Sequence, residues 1–150
     1  MRQQACSRGP VLRGAGPIGG PEMPEWGNRP IPRRLLASGV RDMVRICDGR
    51  MSGTHYGTSV PHVAPEAAVG RPLALLRTGD IVTLHVSAGR LDMAVDEGEP
   101  ARRRAAWVRP ASRYPRSCTS LYQAHVGQAD QGCDFDVLAA SGDVPEPAIF

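Results

Sequence analysis

Two stretches of this chain carry side chains whose types and spacing could do chemistry. In "PEMPEWG", Glu22 and Glu25 stand on a segment stiffened by Pro21 and Pro24. Proline fixes the backbone, so a carboxylate there keeps little residual freedom. That suits a hard cation such as Mg²⁺, which prefers oxygen ligands and tolerates little geometric slack. In "ICDGRMSGTHYGTS", Ser52 follows a short apolar run, Met43 to Ile46, and lies among glycines. A serine acts as nucleophile or base only if something takes its proton or stabilises the alkoxide. Nearby glycines let backbone N–H groups converge on an oxygen, and His55 is a candidate general base. There is no G-x-S-x-G elbow, because the two glycine positions hold Arg50 and Thr54. The residues alone therefore leave two alternatives at each place: a solvated loop acid or a metal ligand, and a surface turn or a reactive serine.

A third stretch, "GAGPIGG", spells a formal GxGxxG with Gly14, Gly16 and Gly19 after the apolar pair Val11–Leu12. A dinucleotide site needs a helix to start inside this motif, its N-terminus facing the pyrophosphate. Pro17, Pro21 and Pro24 obstruct that helix, and no βαβ pattern follows.

The elements that must hold these residues are short. Residues 9–32 are dominated by glycine and proline and read as an ordered loop or linker, without helix or interior strand. "RRLLASGVRDM" reads as a short helix, with Pro32 at its start and Gly39 at its end. "MVRIC" is a buried strand that delivers the Ser52 loop. "VPHVAPEAAVG" reads as a broken strand and a turn of helix. Val82, Leu84 and Val86 alternate with polar residues, as do Leu91, Met93 and Val95 beyond a Ser-Ala-Gly turn, which predicts two paired strands. Asp96 and Glu99 have the spacing of a capping box, and a helix follows to about Trp107. "SCTSLYQAHVGQ" reads as a last helix, and "QADQGCDFDVLAA" as a polar tail. The fold class is mixed α/β, an antiparallel element with peripheral helices.

With 150 residues, 17 glycines and 14 prolines, the composition predicts one loop-rich domain. All 18 basic residues are arginine, which excludes a lysine Schiff base or a P-loop lysine within the chain. Net charge is +3, and the run Arg102-Arg103-Arg104 has no aromatic companions, so no nucleic-acid partner is expected. No apolar stretch approaches the roughly 20 residues that cross a bilayer, so no membrane role is expected. The N-terminus lacks a signal-peptide apolar core, and a cytoplasmic setting is expected. Cys6, Cys47, Cys118 and Cys133 form no CxxC pair and are expected as free thiols.

Taken together and in order, "VLRGAGPIGGPEMPEWG", "RDMVRICDGRMSGTHYGT", "HVAPEAAVG", "PLALLRTGDIV", "ARRRAAW" and "QADQGCDFD" resemble the C-terminal part of the dihydroxy-acid dehydratase and phosphogluconate dehydratase family. "MPEWG", "RMSGT-YG" and "QADQGCDFD" resemble its sugar-acid branch, the arabinonate and xylonate dehydratases. The resemblance covers residues 9–140, an incomplete C-terminal domain, with residues 1–8 unmatched and 141–150 a tail. It implies a partial C-terminal β-barrel domain, swivelling and β/β/α-like, with peripheral helices and its first strands missing. It further implies a hydro-lyase that removes water from 2,3-dihydroxy acids or sugar acids to give 2-keto acids. Ser52 matches the alkoxide base, Glu25 an Mg²⁺ ligand, and Thr54 a substrate-binding hydroxyl. The cofactors implied are Mg²⁺ and an iron–sulfur cluster; the cluster cysteines and the other Mg²⁺ ligands, a carbamylated lysine among them, belong to an N-terminal domain that these residues do not include.

The partners implied are a small hydroxy-acid substrate, that N-terminal domain or a full-length homologue, and a homo-oligomer. The 150 residues alone are expected to be inactive, and the alternative is a non-catalytic remnant or interaction module docking on a full-length dehydratase. Five positions depart from the family pattern: Glu22 in place of a usual glycine, Cys47 of serine or threonine, Arg71 of the second glycine of "VGGP", Cys118 of tyrosine, and Pro61 inside a strand.

Overall fold

The computed structural model describes residues 3–6 (backbone only), 9–25, 27, 30–52 and 57–138. Among these residues six short strands and four short helices follow in the order β1 (Gln3–Cys6), β2 (Val11–Leu12), α1 (Arg33–Ala37), β3 (Arg45–Cys47), β4 (Ser59–Val60), α2 (Pro72–Leu75), β5 (Ile81–His85), β6 (Arg90–Ala94), α3 (Glu99–Ala105) and α4 (Cys118–His125). The class is mixed α/β, as expected.

The strands form two three-stranded sheets. One is antiparallel in the order β1-β5-β6, and the other is parallel in the order β2-β3-β4. Among the described residues they do not close into a barrel. The core lies between them: Val44, Ile46, Ala67, Leu73, Val82 and Leu84 are buried together, and Val11, Val60 and Leu91 pack around them. The alternation in "IVTLH" explains one side of this core, because Val82 and Leu84 turn inward while Ile81 is left 47% exposed.

Several elements follow the sequence closely. Pro32 precedes α1 and Gly39 ends its turn at φ +86°. The β5–β6 hairpin turns through a 3₁₀ turn at Val86–Ala88, with Gly89 left-handed. Helix α4 is capped by Ser117, whose side chain accepts from the Ser120 N–H while Ser120 reaches back to the Ser117 N–H. No helix among the described residues is long and apolar enough to cross a membrane.

Two expectations are corrected. Val11–Leu12, in the stretch expected to be loop, forms β2 and pairs in parallel with Ile46–Cys47. Two apolar residues suffice there because the adjacent strand is already fully buried. The capping box at Asp96 and Glu99 is not formed: Gly98 is the N-cap of α3 and no side chain caps it. Glu99 instead turns to Arg102 and Arg103, whose charge-assisted bonds are the stronger attraction.

That same arginine run ties the helices to the hairpin. Arg103 is nearly buried, pairs with Asp80 and Glu99, and donates to the Leu75 carbonyl at the end of α2 at 2.9 Å. From the other side, Arg13 donates to the carbonyls of Leu73, Ala74 and Leu76 at 3.3, 3.0 and 2.8 Å. A four-residue helix leaves most of its carbonyls unpaired, and two arginines satisfy them.

Candidate functional site

The glycine-rich stretch after β2 folds over two carboxylates that water does not reach: Asp48 is 0% and Glu66 1% exposed. Asp48 follows directly on β3 and accepts the N–H groups of Gly14, Ala15 and Ala67 at 2.9, 2.9 and 3.0 Å. Glu66 accepts those of Ile18 and Gly19 at 2.9 and 2.8 Å. A buried carboxylate is tolerable only when its oxygens are satisfied, and backbone N–H groups do this here. The fit needs glycine at two close approaches. A Cβ on Gly16 would lie 2.7 Å from Glu66 Cβ, and one on Gly49 2.5 Å from the Ala15 carbonyl oxygen. The N–H groups a dinucleotide phosphate would use are thus taken up inside the protein, a second reason besides the prolines against that reading.

The C-terminal motif "QADQG" grips the same loop. Gln128 donates to Glu66 Oε1 at 2.9 Å and accepts the Glu66 N–H at 2.8 Å. Gln123, on α4, donates to the Ile18 carbonyl at 2.7 Å. Beyond Gly19 the loop makes two tight turns, Gly20 N–H to the Gly16 carbonyl and Met23 N–H to the Gly20 carbonyl, each 2.8 Å. Glu22 and Met23 take left-handed φ values of +68° and +45°. That conformation explains why glycine suits the position of Glu22. Met23 is then buried, with its sulfur 3.3 Å from Cys133 Sγ.

These turns deliver Glu25 to Ser52. The Ser52 hydroxyl donates a hydrogen bond to Glu25 Oε1, so two candidate residues from separate motifs meet. Both are exposed. Pro24, next to Glu25, lines a groove of about 1040 Å³ together with Gly19, Gly20, Trp107, Arg109 and Tyr114. Thr54, with His55, lies outside the described residues.

The donor set at this contact is all oxygen, one carboxylate and one hydroxyl, which fits a hard cation such as Mg²⁺ with its remaining ligands from elsewhere. The described thiols do not suit an iron–sulfur cluster. Cys47 is fully buried and its Sγ accepts the Gly49 N–H at 3.1 Å, Cys133 is packed against Met23, and Cys118 lies exposed on α4. Burial pushes the Cys133 thiol up from its ordinary pKa, away from the thiolate that ligates metals. Among the described residues no three of His, Cys, Asp or Glu converge as a metal site.

Asp48, Glu66, Gln123 and Gln128 were not singled out from the sequence as part of a site. A signal was available for two of them: an acid directly after the buried "RIC", and another inside the apolar "APEAAV". Acids in such company are buried only with partners.

The class that fold and site define is one in which a glycine-rich loop carries a glutamate to a serine on the next loop. Residues 7–133 match the family model for the C-terminal domain of dihydroxy-acid and 6-phosphogluconate dehydratases. This chain belongs to that family. It is 64% identical over 139 residues to the 6-deoxy-6-sulfo-D-gluconate dehydratase of Pseudomonas putida, covering 93% of this chain and 24% of that protein. It is 48% identical over 129 residues to the L-arabinonate dehydratase of Rhizobium leguminosarum bv. trifolii (85% and 22%). With the mitochondrial dihydroxy-acid dehydratase of Schizosaccharomyces pombe the identity is 38% over 128 residues (85% and 21%). The chain spans about a quarter or less of the length of these relatives.

Proposed function

We propose that this chain is the C-terminal portion of a hydro-lyase converting a sugar acid, or another 2,3-dihydroxy acid, into a 2-keto acid. The observation that carries this reading is the hydrogen bond from Ser52 to Glu25, which joins the two motifs at one point. Ser52, as the alkoxide, takes the proton from the substrate's Cα. The electron pair of that C–H bond forms the double bond as the C3–O bond breaks. The departing hydroxide takes up a proton to leave as water, Ser52 giving up the one it gained, and the enol tautomerises to the keto acid. Glu25 would hold Mg²⁺, which when bound would supply positive charge favouring the alkoxide and a more acidic Cα proton. Thr54 binds the substrate two residues on. An iron–sulfur cluster with ligands outside this chain would assist the leaving hydroxyl; Cys47, Cys118 and Cys133 are unsuited to hold it. The sugar-acid class is favoured over branched dihydroxy acids by the higher identity to proteins named for sugar acids.

In this reading the two sheets are part of a β-barrel completed by further strands, and the active assembly is a cytoplasmic homo-oligomer. The exposure of Glu25 and Ser52 fits a surface covered by another domain. It equally favours a second reading, a non-catalytic module that docks on a full-length dehydratase through the same surface.

The test supplies the remainder of a homologous dehydratase as a separate chain, with Mg²⁺ and reconstituted cluster, and assays 2-keto acid from sugar acids. Formation that stops with Ser52→Ala supports the proposed base, and formation that persists sinks it. A stable complex that adds no turnover favours the docking module.

A further inference from the structure

We infer that Asp48 and Glu66 are positioning residues whose buried carboxylates set the approach of Glu25 to Ser52. The parallel pairing of β2 and β3 brings the two loops out at one end of the sheet but does not reach either residue. Strand β2 ends at Leu12 and β3 at Cys47, and both candidate residues lie on irregular chain well beyond them. Beyond the strands, Gly49 packs against Ala15, and two carboxylates bond the glycine-rich loop to the chain around it. Asp48, four residues before Ser52, holds Gly14 and Ala15 at the start of the glycine-rich loop and Ala67 beside Glu66. Glu66 holds the middle of that loop at Ile18 and Gly19, six residues before Glu25. Two tight turns then fix the intervening chain, and the second closes at Met23, only two residues from Glu25.

The direction of the bonds matters. Backbone N–H groups are donors only, so a neutral amide in place of either carboxylate would set N–H against N–H at one oxygen. Each carboxylate oxygen aimed at this loop is matched to a different amide, so the loop has one satisfied arrangement. Gln128 supports Glu66 from outside and gives a milder handle on the same device.

The experiment is solution NMR on the intact chain, independent of turnover. It reads the proton–proton contact between the Glu25 and Ser52 side chains and the hydrogen exchange of the Ile18 and Gly19 amides. Glu66→Gln should lose the Glu25–Ser52 contact and speed exchange at Ile18 and Gly19 by roughly 10- to 100-fold, while the β5–β6 signals persist. Gln128→Ala should move both readouts the same way by less, and it removes no buried charge should Glu66→Gln fail to fold. Leu84→Ala, in the core between the sheets, should lower the unfolding midpoint yet keep the contact. Survival of the contact in both Glu66→Gln and Gln128→Ala, or its loss in Leu84→Ala as well, would overturn the inference. The inference rests on the proposed site only for its interest. An active Ser52→Ala enzyme would sink the base while leaving this geometry standing.

Discussion

The hydroxyl of Ser52 donates to the carboxylate of Glu25 although the two stand 27 positions apart in the sequence. One arrives on the loop after β3 and the other on the loop after β2. Those strands are adjacent and parallel, so both loops leave the sheet at the same end. Loops at the C-terminal ends of parallel strands are a recurrent place for sites in open sheets.

From this contact comes the first prediction. In a reconstituted two-chain enzyme, Ser52→Ala should lower the rate of 2-keto acid formation by roughly 10²- to 10⁴-fold, the range a positioned base contributes. Because Ser52 is exposed, its thermal unfolding should stay within about 0.5 kcal/mol of the parent. Unfolding curves recorded beside the kinetics separate a chemical loss from a folding one.

Glu25→Gln addresses the metal. Outer partners of a metal ligand alter affinity by about 10–100-fold, so losing a direct ligand should raise the Mg²⁺ requirement by more than about 100-fold. Titrating activity against Mg²⁺ reads this directly, and an unchanged requirement would remove Glu25 from the metal site.

Arginine 103 gives a pH prediction. Hydrogen bonds from its guanidinium hold the Asp80 and Glu99 carboxyls below the usual carboxylate range, and the same bonds raise its own pKa in return. A carboxylate whose folded pKa is depressed adds stability above its unfolded pKa, and this is lost as pH falls through the folded value. The chain should therefore lose stability on acidification through and below about pH 4, the unfolded carboxylate range. Arg103→Ala should be less stable at neutral pH and should lose less in that window. Urea midpoints measured from pH 7 down to pH 3 would show two curves that converge.

Backbone strain gives the fourth. Glu22 sits at φ +68°, where a side chain is disfavoured by roughly 1–2 kcal/mol. Glu22→Gly should raise stability by about 1 kcal/mol or less, after the entropy glycine adds to the unfolded state. Gly16→Ala should act in the opposite sense, losing about 1–3 kcal/mol as its Cβ meets Glu66. Gly27→Ala, with open space around it, should change little. Chemical denaturation of the three variants orders them, and a neutral Gly16→Ala would contradict the packing described.

Much of the scaffold was legible because its signals are local. Proline before α1, glycine after it, and alternation in "IVTLH" each act within a few residues. The family was legible through several motifs in order, and the structure brings Glu25 and Ser52, from two of those motifs, together. What local signals could not supply was the partner of each buried group. The bonds of Glu66 to Ile18 and Gln128 bridge 48 and 62 residues, and nothing in either neighbourhood announces the other. Strand β2 escaped for the same reason: two apolar residues between a proline and an arginine become a strand only when β3 lies beside them.

A loop rich in glycine and N–H groups is usually thought of as a receptor waiting for an anion. Here the receptor is already filled, by anions that the chain itself carries. A tethered carboxylate forfeits no translational freedom when it binds, whereas a free phosphate or nucleotide does. The tethered ligand therefore holds its seat against millimolar competitors, and the loop can act as a fixed bracket whatever small anions surround it.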